Sequence, residues 1–217
     1  MDLRLSGKVA LVSGASRGIG RAIAAGLAAE GAKLIIAARG REDLERTARE
    51  IEQAGGEVLA HACDVSDDTS VASLVKAAID RFGRIDILVS NASALAVTAD
   101  RESWQACLSV DVMGAVRQVD AVLPGMRAQG GGVILFASSI SGVEAAPMDD
   151  YAYTAAKAAL NAYSKKLAVM EAKNAVRVNA IMPGSIEFEG GIWDQVRQHQ
   201  PDLYAMVKSS VPFGRLG

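Results

Sequence analysis

Two hydrophobic periodicities alternate along the 217-residue chain. Short apolar runs rich in β-branched residues predict strands, and longer amphipathic stretches predict helices. The predicted strands are residues 8–13, 33–38, 57–63, 86–90, 132–138 and 176–181. The predicted helices are residues 18–30, 42–54, 67–82, 102–128, 152–172 and 190–208. Such regular alternation predicts a parallel sheet that carries helices on both faces.

Several of the predicted strands are apolar without interruption. Residues 34–38, 87–89 and 133–136 contain no polar side chain, which is expected of strands that are covered on both faces. The sequence therefore predicts an α/β fold with a doubly wound parallel sheet. The length fits a single domain, residues 1–217, with one substantial core.

A glycine cluster joins the first predicted strand to the first predicted helix. Gly14, Gly18 and Gly20 follow the apolar run directly. Glycine permits a tight turn at position 14 and lets the backbone approach a ligand at positions 18 and 20. The first turn of a helix presents free amide donors and the positive end of the helix dipole, which both favour an anion. The segment therefore predicts a binding site for a pyrophosphate group.

A proton-transfer site is predicted later in the chain. Tyr153 and Lys157 are four residues apart in a predicted helix, so their side chains share one face. A free phenol has a pKa of about 10, and a neighbouring ammonium favours the phenolate, which suits a phenol to acid–base chemistry. Ser139 precedes this pair and can donate a hydrogen bond to the substrate oxygen that the phenol protonates.

Two neighbouring residues compete for these roles. Tyr151 lies six residues before Lys157, about 240° around an ideal helix, and so points away from it. Ser138 and Ser139 project to opposite faces of the strand end because strand side chains alternate. Spacing alone therefore favours Tyr153 over Tyr151 and leaves the choice between the serines open.

Together, these motifs resemble the short-chain dehydrogenase/reductase family, in its classical, 3-oxoacyl-reductase-like form. The resemblance covers essentially the whole chain, and its segments, in family order, are residues 13–20, 64–65, 90–93, the Ser139, Tyr153 and Lys157 trio, and 179–184. It implies a Rossmann-type fold and hydride transfer between a nicotinamide cofactor and a ketone or secondary alcohol. The family pattern of serine, two residues and glycine fits Ser139 to Gly142 and selects Ser139. Related enoyl reductases place the tyrosine seven residues before the lysine, which neither tyrosine matches, so carbonyl chemistry is preferred.

The resemblance also implies a set of cofactor-contacting residues. In chain order these are Gly14, Ser16, Arg17, Gly18, Ile19, Gly20, Arg39, Asp64, Val65, Asn91, Ala92, Tyr153, Lys157, Pro183, Gly184 and Ile186. Asp64 is expected to accept a hydrogen bond from the adenine amino group. No acid lies near Ala38, where a free ribose 2′-hydroxyl would require one. Arg39 and Arg17 instead offer donors for a 2′-phosphate, so NADP(H) is expected rather than NAD(H).

Three departures from the family pattern concern the same site. Ser93 stands where the family usually has glycine, Asp111 stands where it usually has asparagine, and residues 185–188 lack the threonine that often contacts the nicotinamide amide. Asp111 can act through its backbone carbonyl, as a support for a water chain to Lys157, or its carboxylate can pair with that lysine. These departures, Phe188 among them, leave a second interpretation open: a catalytically weak or inactive NADP-binding protein with a regulatory or structural role.

Composition narrows the choice of partners and location. A net charge of −2 without a run of basic residues argues against a nucleic-acid surface. No stretch has the apolar length of a membrane span, and residues 1–6 lack an apolar signal core, so a cytoplasmic protein that does not bind membranes is expected. The spacing of Cys63, Cys107, His61 and His199 predicts neither a disulfide nor a metal site.

The resemblance also bears on substrate, assembly and the end of the chain. Residues 189–204 lie where family members cover the substrate, and Trp193, Tyr204 and Met206 favour a mostly apolar small-molecule carbonyl or alcohol. The helices 102–128 and 152–172 carry apolar residues on more than one face, which predicts a homotetramer or homodimer. The family's last helix and strand are missing after residues 211–217, so the sheet is expected to lack its last strand.

Overall fold

The protein forms one parallel β-sheet flanked by helices. The structure is a computed structural model, and it describes residues 3–146 and 148–217. Residues 1 and 2 of the N-terminal segment considered above lie outside this range. The strands are β1 (Val9–Ser13), β2 (Lys33–Ala38), β3 (Val58–Ala62), β4 (Ile87–Ser90), β5 (Gly132–Ala137) and β6 (Val176–Ile181). Their order in the sheet is β3-β2-β1-β4-β5-β6, with every pairing parallel. The predicted doubly wound, single-domain α/β fold is confirmed, and β6 is the edge strand of the described sheet.

Helices cover both faces of this sheet. They are α1 (Gly18–Ala29), α2 (Arg41–Gln53), α3 (Asp68–Phe82), α4 (Arg101–Cys107), α5 (Gly114–Ala128), α6 (Tyr151–Glu171), α7 (Ile192–His199) and α8 (Pro201–Ser210). The core is divided by the sheet: Val9 and Leu11 of β1 pack with side chains of α3, α5 and α6, whereas Ala10 and Val12 pack with α1 and α2. This alternation explains why β1 is apolar throughout, because both of its faces are buried.

Strand order reverses next to β1. β1 pairs with β2 on one side and with β4 on the other, so the helices after β1 and β4 leave in opposite directions over the sheet. In open α/β sheets the ligand crevice forms at such a reversal, outside the carboxyl ends of the strands. The fold thereby places the loops after β1 and β4 at the mouth of one crevice.

Two predicted helices differ in detail from the structure. The prediction of one helix over residues 190–208 is wrong, since α7 ends at His199 and α8 begins at Pro201. Proline disfavours the α conformation in the residue before it, and Gln200 accordingly has φ −139° and ψ 62°. The predicted helix 102–128 is continuous, but its middle, Leu108–Met113, is a π-helical segment between α4 and α5. Within the described residues, no helix combines the length and hydrophobicity that a membrane crossing requires.

Candidate active site

One cavity of about 390 Å3 opens at the carboxyl ends of the strands, beside the β1–β4 reversal. Most of the predicted cofactor residues lie in its wall. These are Gly14, Ser16, Arg17, Ile19, Gly20, Arg39, Asp64, Val65, Asn91, Ala92, Tyr153 and Lys157. Residues that are far apart in sequence are therefore brought together at the place that the fold class predicts.

Other predicted residues lie outside the described wall of this cavity. They are Gly18, Asp111, Ser139, Pro183, Gly184 and Ile186. Asp111 and Ser139 are buried, and Asp111 contacts Lys157. The carbonyl of Pro183 accepts a hydrogen bond from the Ile140 amide, so this part of the loop after β6 supports the Ser139 segment.

The wall also contains residues that the sequence did not single out as cofactor contacts. They include Asp43, Cys63, Leu95, Val110, Ser138 and Phe188. Asp43 lies in the first turn of α2, directly after the arginine-bearing strand end, so its sequence position could have drawn attention to it. No periodic signal predicts where the side chain of Phe188 lies, because it belongs to an irregular loop.

The glycine loop between β1 and α1 has the geometry that only glycine provides. Gly14 and Gly18 have φ of 64° and 55°, in the left-handed region that side chains disfavour. A Cβ on Gly20 would lie 2.2 Å from the Gly14 carbonyl oxygen. Substitution at these positions would push the loop outward, so the glycines keep the α1 N-terminus close to the crevice.

Hydrogen bonds tie this loop to the end of β4. The Asn91 side chain donates to the carbonyls of Ser13 and Gly14, at 3.1 Å in each case. The Ser13 hydroxyl oxygen accepts the backbone amides of Asn91 and Ala92, at 3.1 and 3.2 Å. Asn91 therefore fixes the shape of the glycine loop as well as lining the cavity.

Two of the charged residues in the cavity wall follow β2 and β3. Arg39 follows β2 directly, and Asp64 follows β3. The pKa of Asp64 lies below its usual value, chiefly because the Ser66 side chain and backbone amide donate hydrogen bonds to it, with a further contribution from Arg39. The carboxylate is therefore ionised near neutral pH and can accept a hydrogen bond from a ligand.

Lys157 is held in a fixed position on the β5 side of the cavity. Its Nζ donates to the Ala137 carbonyl at 3.0 Å and lies 5.3 Å from the centre of the Tyr153 ring. Asp111 Oδ1 lies 3.0 Å from the same nitrogen, and both side chains are almost fully buried. Two roles were considered for Asp111. The structure shows the contact that the second role requires, because the carboxylate lies against the Lys157 ammonium.

The Asp111–Lys157 contact is an ion pair rather than a well-directed hydrogen bond. Asp111 Oδ1 has no hydrogen-bond partner of good geometry among the described residues, although Nζ is close to it. The other oxygen, Oδ2, accepts the Ala94 amide at 2.9 Å. Asp111 lies in the π-helical segment, and such segments are frequent at functional sites.

The two candidate serines use their hydroxyl groups differently. The Ser138 hydroxyl donates to the Lys157 backbone carbonyl at 3.2 Å, so its proton is already used in a hydrogen bond. The Ser139 oxygen accepts the Ser141 amide at 3.2 Å, which leaves its own proton free for another acceptor. Ser138 lies in the cavity wall and Ser139 does not, yet Ser139 has the available donor.

These residues fit a dinucleotide cofactor with one exception. The glycine loop offers close backbone approach, Arg39 and Asp64 offer polar contacts, and Tyr153 and Lys157 lie on the opposite side of the crevice. The exception is Phe188, whose ring lies so near Gly18 that a Cβ there would be 2.6 Å from its Cζ. The ring therefore covers part of the glycine loop in this conformation.

Comparison with known proteins agrees with the geometry. The sequence model of the short chain dehydrogenase family matches residues 8–200. The 3-oxoacyl-(acyl-carrier-protein) reductase FabG of Thermotoga maritima is 35% identical over 220 residues, which cover 99% of this chain and 87% of that protein.

Solved structures give the same result. L-sorbose reductase from Gluconobacter frateurii, complexed with NADPH and L-sorbose, is 36% identical with a TM-score of 0.90 and covers 100% of this chain and 87% of its own. NAD+-bound xylitol dehydrogenase is 30% identical with a TM-score of 0.92, over 99% of this chain and 88% of its own. With the fold, the ordered motifs and the cavity, these matches show that the chain belongs to the short-chain dehydrogenase/reductase family of oxidoreductases.

Proposed function

We propose that the protein is an NADP(H)-dependent carbonyl reductase or alcohol dehydrogenase that acts on a ketone or secondary alcohol. The observation that carries this proposal is a single cavity with arginine donors on its β2 side and the Tyr153–Lys157 pair on its β5 side. A dinucleotide that spans the crevice would reach both sets of groups. Family membership supports the general chemistry, which is hydride transfer on CH–OH and C=O groups.

The chain's own residues would hold the cofactor and move the proton. A bound nicotinamide supplies or accepts the hydride. Tyr153 transfers the proton to or from the substrate oxygen, and the fixed ammonium of Lys157 favours the negative form of the phenol. Ser139 donates a hydrogen bond to the same oxygen as charge develops on it. These roles are supported by the burial of Lys157 and by the free hydroxyl proton of Ser139.

The preference for NADP(H) is argued from the chain itself. The solved relatives include an NADPH complex and an NAD+ complex, so similarity alone does not choose between the cofactors. Arg39 after β2 and Arg17 of the glycine loop line the cavity, and β2 itself ends without the acid that a ribose hydroxyl would require, although Asp43 of α2 is also in the wall. A guanidinium binds a phosphate through charge-assisted, often bidentate hydrogen bonds, which favours the cofactor that carries a 2′-phosphate.

The substrate is proposed to be a mostly apolar small molecule. Leu95 and Val110 contribute apolar side chains to the cavity wall that also contains Tyr153, and Trp193 lies in the segment that covers substrate in the family. Apolar walls with a few polar groups at the reacting centre are typical of small-molecule sites. We also propose that the protein functions in the cytoplasm.

The assay is NADPH oxidation by the purified protein with a panel of ketones of graded hydrophobicity. We expect turnover that is faster with NADPH than with NADH and strongest for the more apolar ketones. An alternative is an NADP-binding protein of weak or absent activity, which the Asp111–Lys157 pair and the position of Phe188 favour. Tight NADPH binding without turnover across the panel would support that alternative.

A further inference from the structure

The loop after β6 closes over the glycine loop through one aromatic side chain. Phe188 is the residue of this loop that lines the cavity, and its ring lies against Gly18. Gly18 has a positive φ and sits at the first position of α1. A helix N-terminus of this kind is where the cofactor pyrophosphate is expected to bind. The ring and the pyrophosphate therefore require the same surface.

A second glycine also lies against the ring. A Cβ on Gly191 would lie 2.9 Å from Phe188 Cζ, so Gly18 and Gly191 together form the seat of the ring. The Gly191 amide donates to the Phe188 carbonyl at 2.9 Å, and the Gly190 amide donates to Asp194 at 2.9 Å. These bonds fix the turn that carries the ring.

A group of polar contacts holds the residue next to Phe188. The Glu187 carboxylate accepts the Tyr204 hydroxyl at 2.7 Å and lies 3.0 Å from Arg197 Nε. The Glu187 amide donates to the Gly217 carbonyl at 3.0 Å. The hydrogen bond from Tyr204 to the Glu187 carboxylate keeps the pKa of Tyr204 above its usual value, so the hydroxyl remains a donor across the neutral range. We call Glu187, Arg197 and Tyr204 the latch.

We propose that Phe188 is a gate on the cofactor site: its ring occupies the pyrophosphate surface of Gly18 when no cofactor is bound, and the latch stabilises that closed state. The proposal rests on the proposed binding of a nicotinamide dinucleotide. Cofactor binding then requires the ring to leave its seat, which lowers the apparent affinity by the fraction of molecules that are open. Since the pyrophosphate is common to both cofactors, the gate opposes NAD(H) and NADP(H) equally.

Three variants open the gate by different routes. Phe188→Ala removes the ring, Gly191→Ala displaces it by adding a Cβ to its seat, and Glu187→Gln removes the charge from the latch. Gly191 has φ −78° and ψ 174°, which alanine adopts without strain. Phe213→Ala, which removes a ring that is 88% exposed, is the matched control. Gly191→Ala keeps Phe188, so it carries the test even if Phe188→Ala fails to fold.

The first measurement is the dissociation constant of NADP+ and of NAD+ for the full chain and each variant. If the closed state holds about nine-tenths of the molecules, Phe188→Ala lowers both constants about tenfold. We expect the same direction for Gly191→Ala and Glu187→Gln, and no change for Phe213→Ala. Unchanged or weaker binding in both Phe188→Ala and Gly191→Ala overturns the gate, because the ring is then neutral or part of the bound site.

The second measurement follows the gate directly. The chain has two tryptophans, so Trp104→Phe leaves Trp193 of α7 as a single reporter beside the gate. NADP+ is the probe because, unlike NADPH, it does not absorb tryptophan emission. A gate that opens slowly before binding gives an observed rate that saturates or falls with NADP+ concentration, and a gate that opens rapidly gives a linear rise whose slope is reduced by the open fraction. In either case, Phe188→Ala in the Trp104→Phe background is expected to give a linear and steeper rise. Equal linear slopes in the Trp104→Phe protein with and without Phe188→Ala contradict the gate.

The outcomes for the gate and for the proposed function are distinct. Binding of NADP+ by the wild type that no variant improves contradicts the gate alone. Binding that appears only in Phe188→Ala or Gly191→Ala supports both proposals and identifies a strongly closed gate. Absence of binding to NADP+ and NAD+ by every protein contradicts the cofactor assignment, and the gate with it.

Discussion

At the scale of single residues, the site is organised around one buried ammonium. Lys157 contacts the Ala137 carbonyl and the Asp111 carboxylate, and its helix also carries Tyr153. Burial of a charged group is costly unless the group is paired and hydrogen-bonded. The two oxygen partners therefore keep the charge in place, and they also fix its distance from the phenol.

Replacement of Tyr153 by phenylalanine is expected to abolish turnover. The ring is retained and only the transferable proton is lost, so kcat should fall by at least about a hundredfold, the usual scale for a general acid or base, while NADPH affinity stays nearly unchanged. Tyr151→Phe is the control, because Tyr151 is 59% exposed. Steady-state kinetics of both variants make the comparison, and a larger loss in Tyr151→Phe would show that the acid–base assignment is wrong.

Replacement of Asp111 by asparagine tests the effect of the buried ion pair. The amide oxygen can still accept the Ala94 amide, so the change removes mainly the charge. Without that charge, the field of Lys157 at Tyr153 is no longer partly cancelled, and the alkaline-side rise in alcohol oxidation should move to lower pH. Superimposable pH–rate profiles would mean that Asp111 acts only through its backbone.

Replacement of Arg39 by aspartate is expected to change cofactor preference. It removes a donor for the 2′-phosphate and adds repulsion, so NADPH binding should weaken by about 1.5–3 kcal/mol, roughly tenfold to a hundredfold. NADH binding should change far less. Dissociation constants for both cofactors provide the test. Equal losses for the two would identify Arg39 as structural, whereas the Phe188 variants are expected to affect both cofactors alike.

At the scale of elements, the sequence predicted regular structure better than its interruptions. The six strands and most helices follow from periodicity because both faces of the sheet are buried. The π-helical segment Leu108–Met113 was missed, since one extra residue in a turn barely changes a hydrophobic pattern. The break at Gln200 was missed although Pro201 signals it. The seat of Phe188 depends on contacts between distant loops, which no local pattern contains.

A contact between two helices gives a prediction about stability and pH. Arg127 of α5 donates two hydrogen bonds to Glu171 at the end of α6, and Asn174 donates a third. These bonds lower the pKa of Glu171 from 4.5 to about 2, with the Arg127 hydrogen bond as the main cause. A lowered pKa in the folded state stabilises the protein above the unfolded value, and this stabilisation is lost as pH falls from about 4.5 towards about 2.

Replacement of Glu171 by glutamine is therefore expected to lower the free energy of unfolding at pH 7. The difference from wild type should shrink as pH falls through this window, because protonation removes the charge from the wild type as well. Urea unfolding at several pH values measures the difference. Glu45→Gln, on the exposed surface of α2, is the control. A difference that is constant across the window would show that the charge on Glu171 is not responsible.

At the scale of the whole molecule, the sheet brings the residues of the site together, and the outer helices leave apolar side chains exposed. Leu108 and Met113 of the π-helical segment are 47% and 45% exposed, and Val169 and Met170 of α6 are 74% and 50% exposed. Apolar side chains on two neighbouring helices are a common sign of a subunit interface.

We therefore expect the purified protein to be a homotetramer or homodimer, and we expect Val169→Glu to shift it towards the monomer. A buried, unpaired charge at an interface costs several kcal/mol, which is enough to dissociate a micromolar assembly. Met206→Glu is the matched control, because Met206 is 58% exposed on α8, away from α6. Light scattering at micromolar concentration measures the masses. A wild-type monomer would contradict the assembly, and equal dissociation by both variants would contradict its assignment to α6.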